Sequence, residues 1–246
     1  MAEAVIKTKG LVKKYQGFPV LDDLNIEVGK GQIYGLVGNN GAGKTTLIRI
    51  MCGMVKPTAG ELELFGSPSN LLAARKRIGV VLDNPGILLN MNAYENMVAQ
   101  CILTGADKSK IQNILKLVDL QDTNKLIAKK FSLGMKRRLS LARAFVNEPE
   151  ILILDEPTNG LDPSGIKELR DVLLGLARQR GVTILISSHI IAELSNLATN
   201  YGVLANGRII KNFSAEELNN IVSSRGITLE NYFISILNTA RSKGVR

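Results

Sequence analysis

Between Gly38 and Thr46 the chain reads GNNGAGKTT, a run that meets the spacing G-x-x-x-x-G-K-[ST]. The residue types suit one chemistry. Gly38, Gly41 and Gly43 permit a turn tight enough for backbone N–H groups to close on phosphate oxygens. Lys44 adds a cation for the β- and γ-phosphates of a nucleotide, and the Thr45 hydroxyl suits a magnesium ion. Asn39, Asn40, Ala42 and Thr46 complete the phosphate-binding run. A helix that starts here turns its positive end towards the same anion.

A second chemical group lies in ILILDEPTNGLDP, residues 151–163. Two neighbouring acids close an apolar run. Asp155 is placed to hold a magnesium shell, while Glu156 points elsewhere and is free to orient or deprotonate an attacking water. VTILISS, residues 182–188, leads into His189, the single histidine of the chain. A histidine at the end of a buried strand, beside strand ends that carry phosphate ligands, suits a γ-phosphate contact. In FSLGMKRRLSLARAF, residues 131–145, Ser132 stands where an N-cap belongs. Gly134 lets that helix start approach another molecule closely.

These groups need rigid elements to hold them. QIYGLV reads as a short apolar strand ahead of the phosphate loop, and Leu47, Ile48, Met51 and Met54 recur behind it at helical spacing, predicting one buried helix face. ILIL and VTILI read as buried parallel strands whose C-terminal ends face a ligand. Leu139, Ala142 and Phe145 share one face of the helix that follows Ser132. Two further segments, AYENMVAQCIL and KSKIQNILKLVDL, carry apolar residues at helical spacing. Near the end, Asn206-Gly207 between apolar runs predicts a tight hairpin. Ser214 is a cap for a following helix, and a last helix includes Leu229, Tyr232, Phe233 and Ile236.

The 246 residues suffice for one large α/β domain, and a hydrophobic fraction of 45% with 22% charged residues is that of a folded globular chain. The apolar runs fall well short of the roughly 20 residues that cross a bilayer, and the first residues lack the apolar core of a secretory signal. A cytoplasmic location is expected. Cys52 and Cys101 lack metal-ligand spacing and read as reduced packing residues. The net charge of +9 is spread over small clusters without interleaved aromatic residues, so no nucleic-acid partner is expected.

In this order the motifs resemble the ATP-binding cassette proteins, specifically the nucleotide-binding subunit of a transporter, over nearly the whole chain. GNNGAGKTT is similar to the family's phosphate loop, FSLGM to its signature sequence, and ILILDE to its magnesium strand with catalytic glutamate. GLD at residues 160–162 is similar to the loop that crosses between subunits, through Asp162, and His189 matches the switch histidine. Tyr15, otherwise a strand residue, matches the aromatic residue that stacks on adenine. The resemblance implies a P-loop NTPase core with a mixed, mainly parallel sheet, an N-terminal antiparallel β-subdomain and an inserted α-helical subdomain. On that basis the chain is expected to be one domain, with a core lobe of about 1–84 and 150–246 and a helical subdomain of about 85–149.

The resemblance further implies ATP and Mg²⁺ as ligands and a head-to-tail pairing of cassettes, as a homodimer or with a related subunit. Ser132 and Gly134 of one chain would bind the γ-phosphate held by Lys44 of the other. A separately encoded transmembrane permease is the expected partner, with the ATPase peripheral on the inner face of the membrane.

Two departures stand out. Leu133 and Met135 replace the first glycine and the glutamine of the usual L-S-G-G-Q. In IGVVLDNPG the family's glutamine, which contacts magnesium and relays the nucleotide state, is replaced by Asp83, or by Asn84 if the register slips by one. A carboxylate accepts hydrogen bonds without donating any, and still suits Mg²⁺. These features resemble the bacitracin and lantibiotic self-protection branch. The competing expectation is a soluble single-cassette ATPase serving assembly, of the iron–sulfur type, or nucleic-acid remodelling.

Overall fold

The computed structural model describes residues 3–83, 86–123 and 125–242. Asn84, the alternative to Asp83, lies outside them. Two sheets and a helical insertion make up the fold. The chain opens with β1 (Ala4–Tyr15), β2 (Phe18–Leu24) and β3 (Glu27–Gly29), enters β4 (Ile33–Val37) and α1 (Lys44–Met51), and returns in β5 (Ala59–Leu64). After α2 (Leu71–Arg75) and β6 (Ile78–Val81) come the helices α3 (Ala93–Thr104), α4 (Ile111–Leu117) and α5 (Leu133–Ala144). β7 (Ile151–Asp155), α6 (Pro163–Arg180), β8 (Thr183–Ser188), α7 (Ile191–Leu194), β9 (Asn200–Ala205), β10 (Arg208–Ser214), α8 (Ala215–Arg225) and α9 (Leu229–Ser242) complete it.

β2, β1 and β3 pair antiparallel in that order, with β5 also antiparallel on β1. The larger sheet runs β10-β9-β4-β8-β7-β6, parallel except for the β9–β10 hairpin. This is the expected mixed, mainly parallel sheet with an antiparallel N-terminal sheet. Every residue of β4, β7 and β8 is buried, which explains their continuous apolar runs: a strand covered on both faces has no solvent side to alternate with.

Local signals account for most of the helix ends. α3 starts in a capping box between Asn92 and Glu95, and α8 in another between Ser214 and Glu217. Asn206 and Gly207, at φ 48° and 76°, turn the β9–β10 hairpin. Met97, Cys101, Ile111, Ile114, Leu115, Phe131, Leu139, Ala142 and Phe145 join one core, into which Tyr232, Phe233 and Leu237 of α9 also pack.

One helix is shorter than its periodicity predicts. α1 ends at Met51, Gly53 turns the chain away at φ 79°, and Met54 is exposed instead of continuing the buried face. Cys101 is buried as expected, whereas Cys52 is only half-buried. Among the described residues no helix is long and apolar enough to cross a membrane.

Candidate functional site

In the sheet order β4-β8-β7 three chemically armed strand ends stand side by side. β4 delivers the phosphate loop, β8 delivers His189, and β7 delivers Asp155 and Glu156. Parallel register keeps the ends level, with Val37 opposite Ser188 and Asp155 opposite Ser187. The resulting cavity of about 430 Å³ is lined by Asn40, Gly41, Gly43, Lys44, Thr45, Thr46, Asp83, Asp155, Glu156 and His189, joined by Val20 and Asn159.

The phosphate loop is compact for steric reasons. A Cβ on Gly38 would lie 2.4 Å from the Leu204 carbonyl oxygen, and Gly43 holds φ at 112° with Leu21 and Val20 against the place a Cβ would take. Lys44 is buried, and its Nζ donates to the Gly38 and Asn39 carbonyls at 2.6 and 3.2 Å. Among the described residues no side chain caps α1 and its first turn holds no acid. Its leading N–H groups and positive dipole end therefore suit an anion.

The two acids do different things. Asp155 is buried, and its Oδ1 accepts the Ser187 hydroxyl at 2.7 Å. Glu156 adopts φ 48°, the left-handed region that a non-glycine residue occupies only under constraint. That turn sends its carboxylate across the site: Oε1 lies 3.1 Å from Lys44 Nζ, and Oε2 lies 2.8 Å from His189 Nδ1. The Glu156 N–H is tied to Ser187 Oγ at 2.9 Å. Ser187 thus fixes both acids, a role that only its place at the end of an apolar strand hints at.

Thr45, Asp155 and Asp83 are hard oxygen donors around one cavity, the ligand chemistry that Mg²⁺ prefers. Among the described residues no cluster of three His, Cys, Asp or Glu forms a metal cage. Mg²⁺ in general takes one or two protein oxygens and fills its octahedron with water and substrate phosphates.

Other expected site residues stand apart from this cavity. Ser132 caps α5, accepting from the Met135 N–H at 3.1 Å. Gly134 lies in the first turn of α5, and the Leu133 side chain packs beside Gly160. Asp162 caps α6 by accepting from the Gly165 N–H at 3.0 Å. Tyr15 ends β1, half-exposed, with Lys13 Nζ 4.9 Å from its ring centroid. Asp83, which does line the cavity, also has a partner outside it, the buried Arg137 of α5, which no local pattern announces.

Comparison with known proteins gives consistent results. The family described as ABC transporter matches residues 21–159. The chain is 45% identical over 217 residues to the bacitracin transport ATP-binding protein BcrA of Bacillus licheniformis, covering 87% of this chain and 71% of the relative. It is 41% identical over 206 residues to the lantibiotic transport ATP-binding protein SrtF of Streptococcus pyogenes, covering 84% and 89%. Among solved structures it is similar to cbiO1 from Clostridium perfringens, described as part of the ABC transporter complex cbiONQ, with TM-score 0.82 and 26% identity over 95% of this chain and 99% of that one.

Proposed function

The chain belongs to the ABC transporter family as an ATP-binding subunit, and on that footing we propose that it hydrolyses ATP between two paired cassettes to drive a separately encoded permease clearing or exporting a bacitracin- or lantibiotic-type peptide antibiotic. The substrate class rests on one observation: relatives named for bacitracin and for lantibiotic transport are 45% and 41% identical to it over 217 and 206 residues.

In this reading the chain acts as one domain, a core lobe of about 1–84 and 150–246 with a helical subdomain of about 85–149, peripheral on the inner membrane face. The phosphate loop and Lys44 hold the β- and γ-phosphates. Thr45 and Asp155 hold Mg²⁺, with Asp83 at the edge of the same cavity, and the ion supplies neutralisation of phosphate charge. Glu156, turned into the site by its backbone, takes the proton of the attacking water, and His189 contacts the γ-phosphate and orients Glu156. Ser132 and Gly134 reach the γ-phosphate bound by the partner cassette, Asp162 stands at the crossing between the two, and Tyr15 stacks on adenine.

ATP so bound has a mechanical effect. Moving the pair from 1:99 to 99:1 closed needs about 5.5 kcal/mol of differential binding, roughly half from each nucleotide. Loss of a γ-phosphate then reopens the clamp.

Deletion of the gene in its host tests the antibiotic reading. Increased sensitivity to bacitracin or a lantibiotic is expected, reversed by the wild-type gene and not by Lys44→Ala. Unchanged sensitivity to both classes would remove the substrate assignment and leave the ATPase assignment standing.

A further inference from the structure

The loop that follows β6 changes allegiance within two residues. Up to Val81 the chain is sheet, each residue of β6 paired with β7. At Asp83, and again from Gly86 onwards, the contacts go to helices. Arg137 of α5 donates Nη1 to the Asp83 carbonyl at 2.8 Å and Nη2 to its Oδ1 at 3.1 Å. Arg143, six residues further along α5, donates to the Gly86 carbonyl and to Gln100 of α3. Asn96 of α3, fully buried, accepts from the Leu88 N–H and donates to the carbonyls of Leu88, Met91 and Asn92.

Asp83 therefore has two neighbourhoods. It lines the cavity that also holds Lys44 and Glu156, and it grips the helix whose first turn carries Ser132 and Gly134. The Arg137 side chain is 7% exposed and that of Asp83 66%, so the guanidinium is the buried partner. A buried guanidinium needs an anion, because the charge is costly to hold away from water without one. Among the described residues Arg137 Nε is buried without a hydrogen-bond partner, and the hydrogen bonds they offer this guanidinium are those at Asp83. A neutral residue at position 83 offers it only dipoles.

We propose that Arg137 is a positioning residue, and that its ion pair with Asp83 is the link by which the phosphate cavity sets the orientation of α5. The acidic residue in the loop and the arginine in the helix are on this account one device, each chosen for the other. The proposal rests on the ATP-clamp reading above and deepens it. A surface ion pair of little consequence joins two exposed groups, and here one end is buried and both the carboxylate and the main chain of Asp83 are held.

The test is a double-variant cycle of Asp83→Gln, Arg137→Gln and the two together, made in Glu156→Gln protein, with Mg-ADP affinity, hydrogen exchange and ATP-dependent dimerisation by sedimentation as readouts. Of the two single changes, Arg137→Gln, which lies outside the lining of the phosphate cavity, is expected to leave Mg-ADP affinity within about twofold. Each single change should also speed exchange of residues 86–92 and raise the ATP needed for dimerisation by about tenfold, the size of coupling found inside one ion-pair network. The double variant, which restores a matched neutral pair, is expected to recover most of both losses. Asp83→Gln approaches the pair from its exposed end, so a folding defect confined to Arg137→Gln does not obscure the answer.

Normal exchange and dimerisation in both single variants, or defects that simply multiply in the double, would overturn the proposal. If the parent Glu156→Gln protein fails to dimerise with ATP, the clamp reading falls. The exchange cycle, measured without nucleotide, still decides whether Asp83 and Arg137 act together.

Discussion

Replacing Glu156 by glutamine exchanges one carboxylate oxygen for an amide and leaves the side-chain shape almost unchanged. Its Oε1 lies 3.1 Å from Lys44 Nζ, and both side chains are largely buried. At an effective dielectric near 20 that attraction is about 5 kcal/mol before desolvation. Desolvation offsets much of it, leaving about 1.5–3 kcal/mol, the usual size for a hydrogen bond to a charged group.

Without nucleotide, Glu156→Gln is therefore expected to lower unfolding stability by about 1–3 kcal/mol. With Mg-ATP the effects separate. Loss of the proton acceptor removes about 10²- to 10⁴-fold of turnover, or about 3–5.5 kcal/mol of barrier lowering. Removing a negative charge from beside the γ-phosphate also favours the ATP-bound dimer. Phosphate release measures the first effect and sedimentation with and without ATP the second. Turnover at the wild-type rate would refute the assignment of Glu156 as base, whatever its effect on stability.

Three further expectations follow from particular contacts. Gly38→Ala places a Cβ 2.4 Å from the Leu204 carbonyl oxygen, and backbone has to shift to admit it, so urea unfolding should show a loss of about 1–3 kcal/mol. Ser132→Ala removes the cap on the Met135 N–H and should cost about 1 kcal/mol, while Ser132→Asp keeps the cap. If Ser132 also binds the partner's γ-phosphate, ATP-driven dimerisation should be lost in both variants, which calorimetry and sedimentation together will show. Burial pushes the Cys52 thiol up to about 11 and raises that of Cys101 as well. At pH 8 the native Cys52 thiol should react with a disulfide reagent about a hundredfold more slowly than in denaturant, and Cys101 more slowly as well. Rapid labelling of native protein would show that these sites are not closed.

Local signals in the chain are strong where physics is local. The glycine spacing of the phosphate loop, the capping residues Ser132 and Ser214, and the Asn206-Gly207 turn each act within a few residues, so they are legible without a fold. Where a local signal competes with chain direction it misleads. Met54 continues the α1 periodicity in sequence, yet Gly53 has already turned the backbone away and leaves Met54 exposed. Asp162 shows a different limit: the structure occupies it in capping α6, a task that neither requires nor excludes a place at a subunit crossing.

By itself the sequence determined which strand ends would carry chemistry: the phosphate loop after β4, the acid pair at β7 and the histidine after β8. Their motifs rest on backbone and residue types close together in the chain. Only the tertiary structure decided what those residues touch. Placing β8 between β4 and β7 sets His189 and Lys44 on the two oxygens of Glu156. Folding the helices back onto β6 sets Arg137 against Asp83 across 54 residues of chain. Such pairs depend on strand order and on the packing of distant elements, and side-chain periodicity, which reports only the face a residue turns to the core, carries no record of either.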